Sequence, residues 1–516
     1  MNQLSPNPAI DFRQLERINI DVIETPKVLI IGQSNNVGIT GLQDTEGLDL
    51  AAIKLKFGAT QHITQGLKMI YNVWNKSNAK PSTLDAFVIA DDVAWTAATA
   101  TLTASAWTVN ETLELVDSDI NNVISVTLTS GMTATQVATA IVAAFNLNPD
   151  RTAEASNLAG VITLTQKNKG KQGNNGFVFV KNWKKLTGGT LAVTAGYTGG
   201  AGEASTTDIT NIITAITNKR YNFIVYPYEN NENLMVQIRS RVTELEDNFI
   251  KDGIVYTAIT DTYSNVVSFL TTNQKAFRNP LVSFVDKKIT NTNYSGGKFF
   301  ITPLQKASLM ASLHSLVITS GSGVSNYYIG QDFGFPALLG QKSEFNVYLS
   351  DVNDSGYDGF TGNERSVIQS LSGSLFAKQQ NSVVTDTIYT MTTDVNYKFL
   401  TREMQSQFVK EFIVNYMWTT FGSYTIFNQA DSESEILGTC GTIFDILAGN
   451  ISYNGNDNKA YQIFLSDEVK KEAFLDICRR GLRLTRDANN DGILFIKFIL
   501  DNVYVLRQIF ISVAKV

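Results

Sequence analysis

The sequence predicts an α/β protein with a mixed or parallel core sheet and flanking helices, a β-rich inserted domain, and extended strand arms at both ends. Three observations predict this class. The run KVLIIGQ, residues 27–33, is continuously apolar, as in strands buried on both faces of a sheet. Helical and strand patterns alternate from about residue 206 to residue 290. Between residues 95 and 198, short strands rich in Thr and Val dominate.

The first part of the core continues with one helix and one strand. The segment ITQGLKMIYNVWNK, residues 63–76, carries apolar side chains at helical spacing, and DAFVIA, residues 85–90, reads as a second buried strand. Residues 1 to about 24 are polar around one alternating stretch from Ile18 to Val22, which predicts an arm that contains a strand.

The inserted segment is predicted to hold one helix, residues 134–146, among the strands TATLTA, ISVTLT, VITLT, FVFV and LAVTA. Linkers rich in small residues, such as TGGAGEAS, enter and leave it. The core then resumes with predicted helices over 208–218 and 232–249, and with the strands YNFIVYPY, GIVYTAIT and LVSFV. Because helix and strand alternate, we expect βαβ units.

The last third is predicted to begin with a long alternating strand over residues 382–393, followed by amphipathic helices over 403–421 and 466–481. Two apolar strand-like runs end the chain. We therefore divide it into an N-terminal arm (1–24), a first core part (25–94), an outward-facing insertion (95–200), an α/β core (201–400), a C-terminal core domain (401–492) and a C-terminal strand arm (493–516).

Composition excludes several classes of protein. The 516 residues carry a net charge of −6, so the chain lacks the basic field that nucleic-acid phosphates require. Two cysteines exclude a disulfide framework. The N-terminus does not match a signal peptide, and no apolar run reaches the ~20 residues that cross a bilayer. We expect synthesis in the cytosol and no nucleic-acid partner.

The sequence offers little catalytic or metal-binding chemistry. His62 and His314 are the only histidines, and no G-x-S-x-G elbow accompanies them. Two distant cysteines and two distant histidines cannot form a zinc site. The runs beginning at Asp487 and Asp351 match the first half of a calcium loop, but Phe498 and Gly362 stand where a bidentate Glu belongs. We predict no enzyme, no cofactor and no metal.

A glycine- and lysine-rich loop, QKNKGKQGNNG (residues 166–176), raises the question of phosphate binding. Backbone N–H groups of such loops can approach an anion closely, but a P-loop leads into a helix N-terminus. This loop leads into FVFV, another predicted strand. Gly32 and Gly38 after the first strand also lack the spacing of a nucleotide loop. We therefore interpret the loop as a strand connection, with glycines for positive φ angles and lysines that solvate its tip.

Several stretches, taken in order, resemble a known family. GVITLTQKNKGKQGNNG looks like the strand, basic glycine loop and Gly-Asn of the tail sheath proteins of contractile-tailed bacteriophages, in their Mu-like branch. KVLIIGQ and FGATQHITQGLKMIYNVWN resemble its first strand and helix, and VTLTSGMTATQVATAIVAAFN its inserted domain. The run from TGGAGEASTTDITNIITAITNKRYNFIVYPYENNENL through GIVYTAIT resembles its core, and FTGNERSVIQSLSG and VVTDTIYTMTT the segment before its last domain.

The resemblance implies a structural virion protein. Family members polymerise helically around a tail tube and contract to drive the tube through the host envelope, with baseplate and tail terminator proteins as further partners. It also implies that terminal arms insert into neighbouring subunits. The residues that would exchange strands here are Ile18, Ile20, Val22, Ile493, Phe495, Val503, Val505, Ile509, Ile511 and Val513. No small-molecule substrate is implied.

Two other functions remain open from the residues. A hydrolase would depend on His62 and His314, and loss of turnover on mutating both would support it. A host-surface-binding tail fibre or adhesin would suit the Thr-rich insertion, and binding of cells or glycans by the isolated insertion would support that.

Overall fold

We analysed a computed structural model of the chain. It describes residues 27–75, 83–182, 185–216, 219, 221–229, 233–237, 253–287, 302–319, 360–379, 382–385, 388–395, 398–400, 403, 416, 430–447, 475–476, 479–480, 482–487, 490–498 and 509–514. Ile18, Ile20, Val22, Val503 and Val505, and most of the predicted helices over 232–249, 403–421 and 466–481, lie outside these residues. So does the run that begins at Asp351.

A mixed six-stranded sheet forms the core. Its strands are β1 (Lys27–Ser34), β2 (Gly41–Asp44), β3 (Thr83–Ala90), β11 (Phe223–Val225), β12 (Ile254–Asp261) and β13 (Leu281–Lys287). The spatial order is β13-β12-β11-β1-β3-β2, parallel except for the edge strand β2. Seven of the eight residues of β1 are buried, as expected of a central parallel strand covered on both faces. The predicted α/β class is confirmed.

Helices cover both faces of this sheet. On one face, α2 (His62–Asn75) packs against α6 (Pro303–Thr319), and both contact the sheet. On the other face, apolar residues of α4 (Thr206–Ala215), α5 (Tyr263–Asn273) and α7 (Gly362–Ser370) join alternate residues of the strands in one hydrophobic cluster. The short helix α1 (Leu50–Phe57) precedes α2. The doubly covered sheet explains why its strands are continuously apolar.

The Thr- and Val-rich segment forms a second hydrophobic core around α3 (Ala134–Leu147). One sheet has the order β10-β4-β8-β7 and the other β6-β5-β9. The strands are β4 (Ala97–Ala104), β5 (Glu111–Asp117), β6 (Asp119–Leu128), β7 (Ala153–Leu158), β8 (Val161–Lys169), β9 (Val178–Val180) and β10 (Leu191–Thr198). Strands β5 and β7 were not predicted from the sequence.

The C-terminal part contains α8 (Ala430–Leu447) and two small antiparallel sheets. Strands β14 (Phe376–Gln379) and β15 (Ser382–Thr385) form one. Strands β16 (Arg483–Asp487), β17 (Asn490–Phe498) and β18 (Ile509–Ala514) form the other, in that order. In the calcium-like run, Asp487 is the last residue of β16 and pairs with Asn490, the first residue of β17.

The structure corrects two predicted elements. The long strand over 382–393 is wrong, because β15 ends at Thr385 and residues 388–395 make isolated bridges instead. There the Met391 backbone N–H donates to Leu281 O at 2.7 Å, so this stretch is held by the edge of β13. The strand predicted over 221–228 is regular only from Phe223 to Val225. Helices α1, α5, α6, α7 and α8 were not predicted.

Candidate functional site at the carboxyl edge of the core sheet

The order of the parallel strands defines a crevice at their carboxyl ends. From β1 the chain proceeds to β3 on one side and later returns to β11 on the other side. In open α/β sheets, ligands bind outside the carboxyl ends of the strands at such a reversal of direction. Residues after β1, β3 and β11, such as Asp91 and Pro227, therefore surround the place where a ligand would be expected.

The chain's own glycine- and lysine-rich loop lies across this crevice. We call residues 166–176, which include the last four residues of β8, the junction loop. Gln33 Nε2, in β1, donates to Lys169 O at 2.8 Å. The Lys169 backbone N–H donates to Asp91 Oδ2 at 2.9 Å, and Gln172 Nε2 donates to Pro227 O at 3.0 Å. The loop thus contacts the ends of all three strands that border the crevice.

The backbone of the junction loop has no free array of N–H groups for a phosphate. The amides of Gly170 and Lys171 donate to Thr96 O and Gly202 O, each at 2.8 Å, and those of Gly173 and Gly176 donate to carbonyls within the loop. The loop connects β8 to β9 through a short 3₁₀ turn at Lys171–Asn175. The prediction of a strand connection is confirmed, and the hydrogen bonds give no support to a phosphate cradle.

The roles predicted for the glycines and lysines of the loop are only partly correct. Among its glycines Gly170 has a positive φ, of 100°. A side chain at Gly176 would instead lie 2.8 Å from Tyr197 Cδ2, so that glycine permits close packing. The lysines do not simply solvate the tip, because Lys167 pairs with Glu154 at 3.3 Å and Lys171 pairs with Glu229 at 3.2 Å. The nearby Glu229 and Glu203 carboxylates raise the pKa of Lys171.

Asn168 is the most connected side chain of the junction loop. Its Oδ1 accepts from the His62 backbone N–H at 2.7 Å, and its Nδ2 donates to Gln61 Oε1 at 2.9 Å and to Asp91 at 3.3 Å. Desolvation raises the pKa of Asp91, although donors from Lys169, Asn168 and Gln33 oppose the rise. A buried amide that meets three polar partners fixes the position of the loop.

Both histidines are structural parts of the core. His62 Nδ1 accepts from the Gln33 backbone N–H at 3.4 Å, and burial lowers the pKa of His62 to about 4. His314, on α6, shares a 2.5 Å hydrogen bond between its Nδ1 and the Tyr256 hydroxyl, and burial lowers its pKa to about 3. Both rings are therefore neutral near pH 7, and the hydrogen bonds described here join them to a backbone amide and to a tyrosine hydroxyl.

A cavity of about 300 Å³ lies beside the junction loop. Its walls come from the loop, the linker after β10 and the ends of β11 and β12, with Lys171, Glu229 and Asp261 among them. In the part of the chain that the structure describes, no group of three or more His, Cys, Asp or Glu residues could hold a metal ion. Within the same residues, no helix is long and apolar enough to cross a membrane.

Five of the residues predicted to exchange strands are among those that the structure describes. Ile493, Phe495, Ile509, Ile511 and Val513 lie in the C-terminal sheet, where β17 and β18 pair with each other: Phe495 stands opposite Ser512, and Ile511 opposite Ile496. The terminal strands are thus joined within one chain in this structure, and whether they also pair with a neighbouring subunit stays a prediction.

The crevice residues were missed from the sequence although a signal was present. Gln33 and Asp91 are polar residues at or just after the ends of continuously apolar strands. On β8 the buried positions run Ile162, Leu164, Gln166, Asn168. The buried face of β8 thus changes from apolar side chains to amide side chains. This change indicates that a polar segment packs against the end of the strand, because buried amides are hydrogen-bonded.

The chain is similar to solved structures of two tail proteins. No family model matches the sequence, and no curated protein matches it. The chain is similar to the sheath tail protein of Desulfitobacterium hafniense, with 12% identity over 97% of this chain and 99% of that one, at a TM-score of 0.45. It is similar to a sheath tail protein of Listeria innocua, with 9% identity over 95% of both chains, at a TM-score of 0.41. Values below 0.5 do not establish a shared fold, so the α/β class stands on the strand order above.

Proposed function

We propose that this chain is a subunit of a contractile tail sheath. In this role it is a structural protein of a virion that polymerises helically around a tail tube and contracts by rigid-body rearrangement, which drives the tube through the host envelope. The ordered sequence resemblance supports the proposal.

The observation that carries the proposal is the open edge of the C-terminal sheet. Among the described residues, β18 has a strand on one side only, β17. Its sequence, IFISVA, is apolar. An apolar edge strand offers a row of N–H and C=O groups to another strand, and an isolated subunit would tend to aggregate through it. A strand from a neighbouring subunit would complete the sheet.

The strand-exchange residues named from the sequence supply two ways to complete it. Ile18, Ile20 and Val22 would add the N-terminal arm of one subunit to the sheet of the next by β-augmentation. Alternatively, neighbouring subunits would swap β18 itself, with Val503 and Val505 in the connection. Either arrangement tethers neighbours while the cores move.

The role of a sheath subunit also implies its partners and its place of action. The partners are other copies of this chain, the tail tube protein, and the baseplate and tail terminator proteins. The place of action is the virion tail, after synthesis in the host cytoplasm. The insertion, residues 95–200, faces outward from the tube.

Removal of the C-terminal strands tests the function. We expect a variant lacking residues 493–516 to remain a soluble monomer in sedimentation, and to form no tubes in negative-stain micrographs, because the shared sheet is missing. We expect Ile511→Lys with Val513→Lys to have the same effect without shortening the chain.

The matched control is Leu158→Lys with Val161→Lys. These residues lie at the tip of the β7–β8 hairpin and are 82% and 39% exposed. This control should still polymerise. Sheath-like tubes from the truncated chain would show that the C-terminal arm does not join the subunits.

A further inference from the structure

The insertion is tied to the core at three separate places. The junction loop crosses the carboxyl ends of the core strands, as described above. Asp150, after α3, pairs with Lys54 of α1 at 2.7 Å and with Lys68 of α2 at 3.7 Å. Gln305 of α6 donates to Ser118 O, between β5 and β6, at 3.1 Å. The insertion thus contacts the core through the junction loop, through the segment after α3 and through the turn between β5 and β6.

The linkers into and out of the insertion are paired with each other. Thr96 and Ala201 exchange two backbone hydrogen bonds, of 2.9 and 3.3 Å. The Trp95 ring packs directly on Gly202. The amides of Gly170 and Lys171 bond to these same linkers. Small residues alone would suggest a flexible hinge, but here they allow three segments to lie close together.

The junction loop also bonds to the linker that leaves the insertion. Gly200 and Asn174 exchange two hydrogen bonds, of 2.8 and 2.9 Å, between the outgoing linker and the loop. Asn168 is 8% exposed and bonds only to residues outside the insertion's own strands: His62, Gln61 and Asp91. The loop is therefore held by the core, the linkers and its own sheet at once.

We propose that the junction loop is a latch that makes the β-rich insertion and the six-stranded core one rigid, cooperative unit. A force applied to the insertion is then transmitted to the core sheet, and the linkers do not act as a hinge. This inference deepens the proposed function, because a sheath subunit that rotates as one body needs such a connection, but it is tested on the single chain.

Hydrogen exchange on the full-length chain tests the latch. The double variant Asn168→Ala, Gln172→Ala removes the amides that bond to the core. We expect the amides of Thr96 and Ala201 in the linkers, and those of Gly170 and Lys171 in the junction loop, to exchange about tenfold faster or more in this variant, because buried partners lose their hydrogen bonds. Protection of β1 and of β4 should stay as in the unaltered chain.

The matched control is Asn157→Ala, which removes one amide whose hydrogen bond, to Thr139 Oγ1, lies inside the insertion. The control should leave linker exchange unchanged. If the double variant does not fold, Lys171→Gln, at a partly exposed ion pair, gives a milder form of the same test. Linker amides that exchange freely in the unaltered chain, or equally in variant and control, would overturn the latch. Tube formation is not used as a readout, so failure of the sheath proposal would not affect this result.

Discussion

At the scale of single residues, the described part of the chain contains many buried polar groups that are used to fix geometry. Asp117 lies in the insertion with no exposed surface. Its carboxyl accepts from the Thr152 backbone N–H at 2.9 Å and contacts the hydroxyls of Thr152 and Tyr197 at 2.8 and 2.9 Å. Desolvation raises the pKa of Asp117. Lys306 and Asp286 form a buried ion pair between α6 and β13. Such groups specify one arrangement because losing a partner is costly.

The buried histidines make stability depend on pH. The pKa of His314 is lowered from 6.5 to about 3, and that of His62 to about 4. The unfolded chain therefore binds more protons below pH 6.5, so the free energy of unfolding must fall as pH drops. From pH 6.5 to about 5, each histidine should remove about 2 kcal/mol.

Chemical denaturation of the unaltered chain and of His314→Asn at about pH 7 and about pH 5 measures this effect. The variant will be less stable at pH 7, since Tyr256 loses its partner, but it should lose less stability on acidification. Equal losses in the two proteins would mean that His314 is protonated in the folded state or exposed to solvent.

At the scale of secondary-structure elements, the crossing of α2 and α6 over β1 depends on one small residue. A methyl group at Gly66 would overlap Ile30 Cδ1 of β1 and lie 2.9 Å from Ser308 Oγ of α6. Glycine inside a helix costs about 1 kcal/mol of helix propensity relative to alanine. Glycine fits here because α2, α6 and β1 pack closely around this residue.

We expect Gly66→Ala to destabilise the protein by about 1–3 kcal/mol, since overpacking outweighs the gain in helix propensity. Thermal unfolding followed by circular dichroism measures it. Gly438→Ala in α8 is the matched control, because a methyl group there meets no atom within 4 Å, and it should be neutral or stabilising. A stable Gly66→Ala protein would show that the helices can move apart without loss.

Strands and helices could be predicted from the sequence where their apolar residues follow a regular strand or helix pattern. Strands β1, β3, β12 and β13 and helices α2 and α3 were predicted close to their observed bounds. Helix α6 was missed because Gln305, Lys306, Ser308 and His314 are buried in it, which hides the apolar stripe. The strand predicted after residue 385 failed because tertiary contacts with β13 override local alternation.

The candidate site was harder to predict than the fold. The junction loop could be located and its connection of two strands foreseen, since both depend on local sequence. Its contacts with Gln33, Asp91 and Pro227 join segments far apart in the chain. No local pattern encodes which loop crosses the end of which strand, so the position of the loop had to come from the structure.

At the scale of the whole molecule, the core sheet and the insertion have separate hydrophobic clusters among the residues that the structure describes. The first uses residues on both sides of the insertion, and the second lies between residues 98 and 197. Because Thr96 and Ala201 already pair as neighbouring strands would, the insertion can be replaced by a two-residue turn.

We expect a chain with Asn-Gly in place of residues 97–200 to keep its helix and sheet content, because all six strands of the core sheet lie outside that range. It should nevertheless be less stable than the full chain by about 2 kcal/mol or more, since Gln61, Asp91 and the His62 amide lose their partners. Denaturant unfolding measures the difference. A shortened chain as stable as the full chain would mean that the contacts across the junction contribute nothing.

The loop that crosses the carboxyl edge has a consequence for energy supply. In many proteins with this strand topology, a nucleotide binds at the same edge of the sheet. Here the chain closes that edge with its own backbone. The sheath proposed above would therefore take the free energy of its movement from contacts between subunits formed at assembly, and not from a nucleotide bound at this edge.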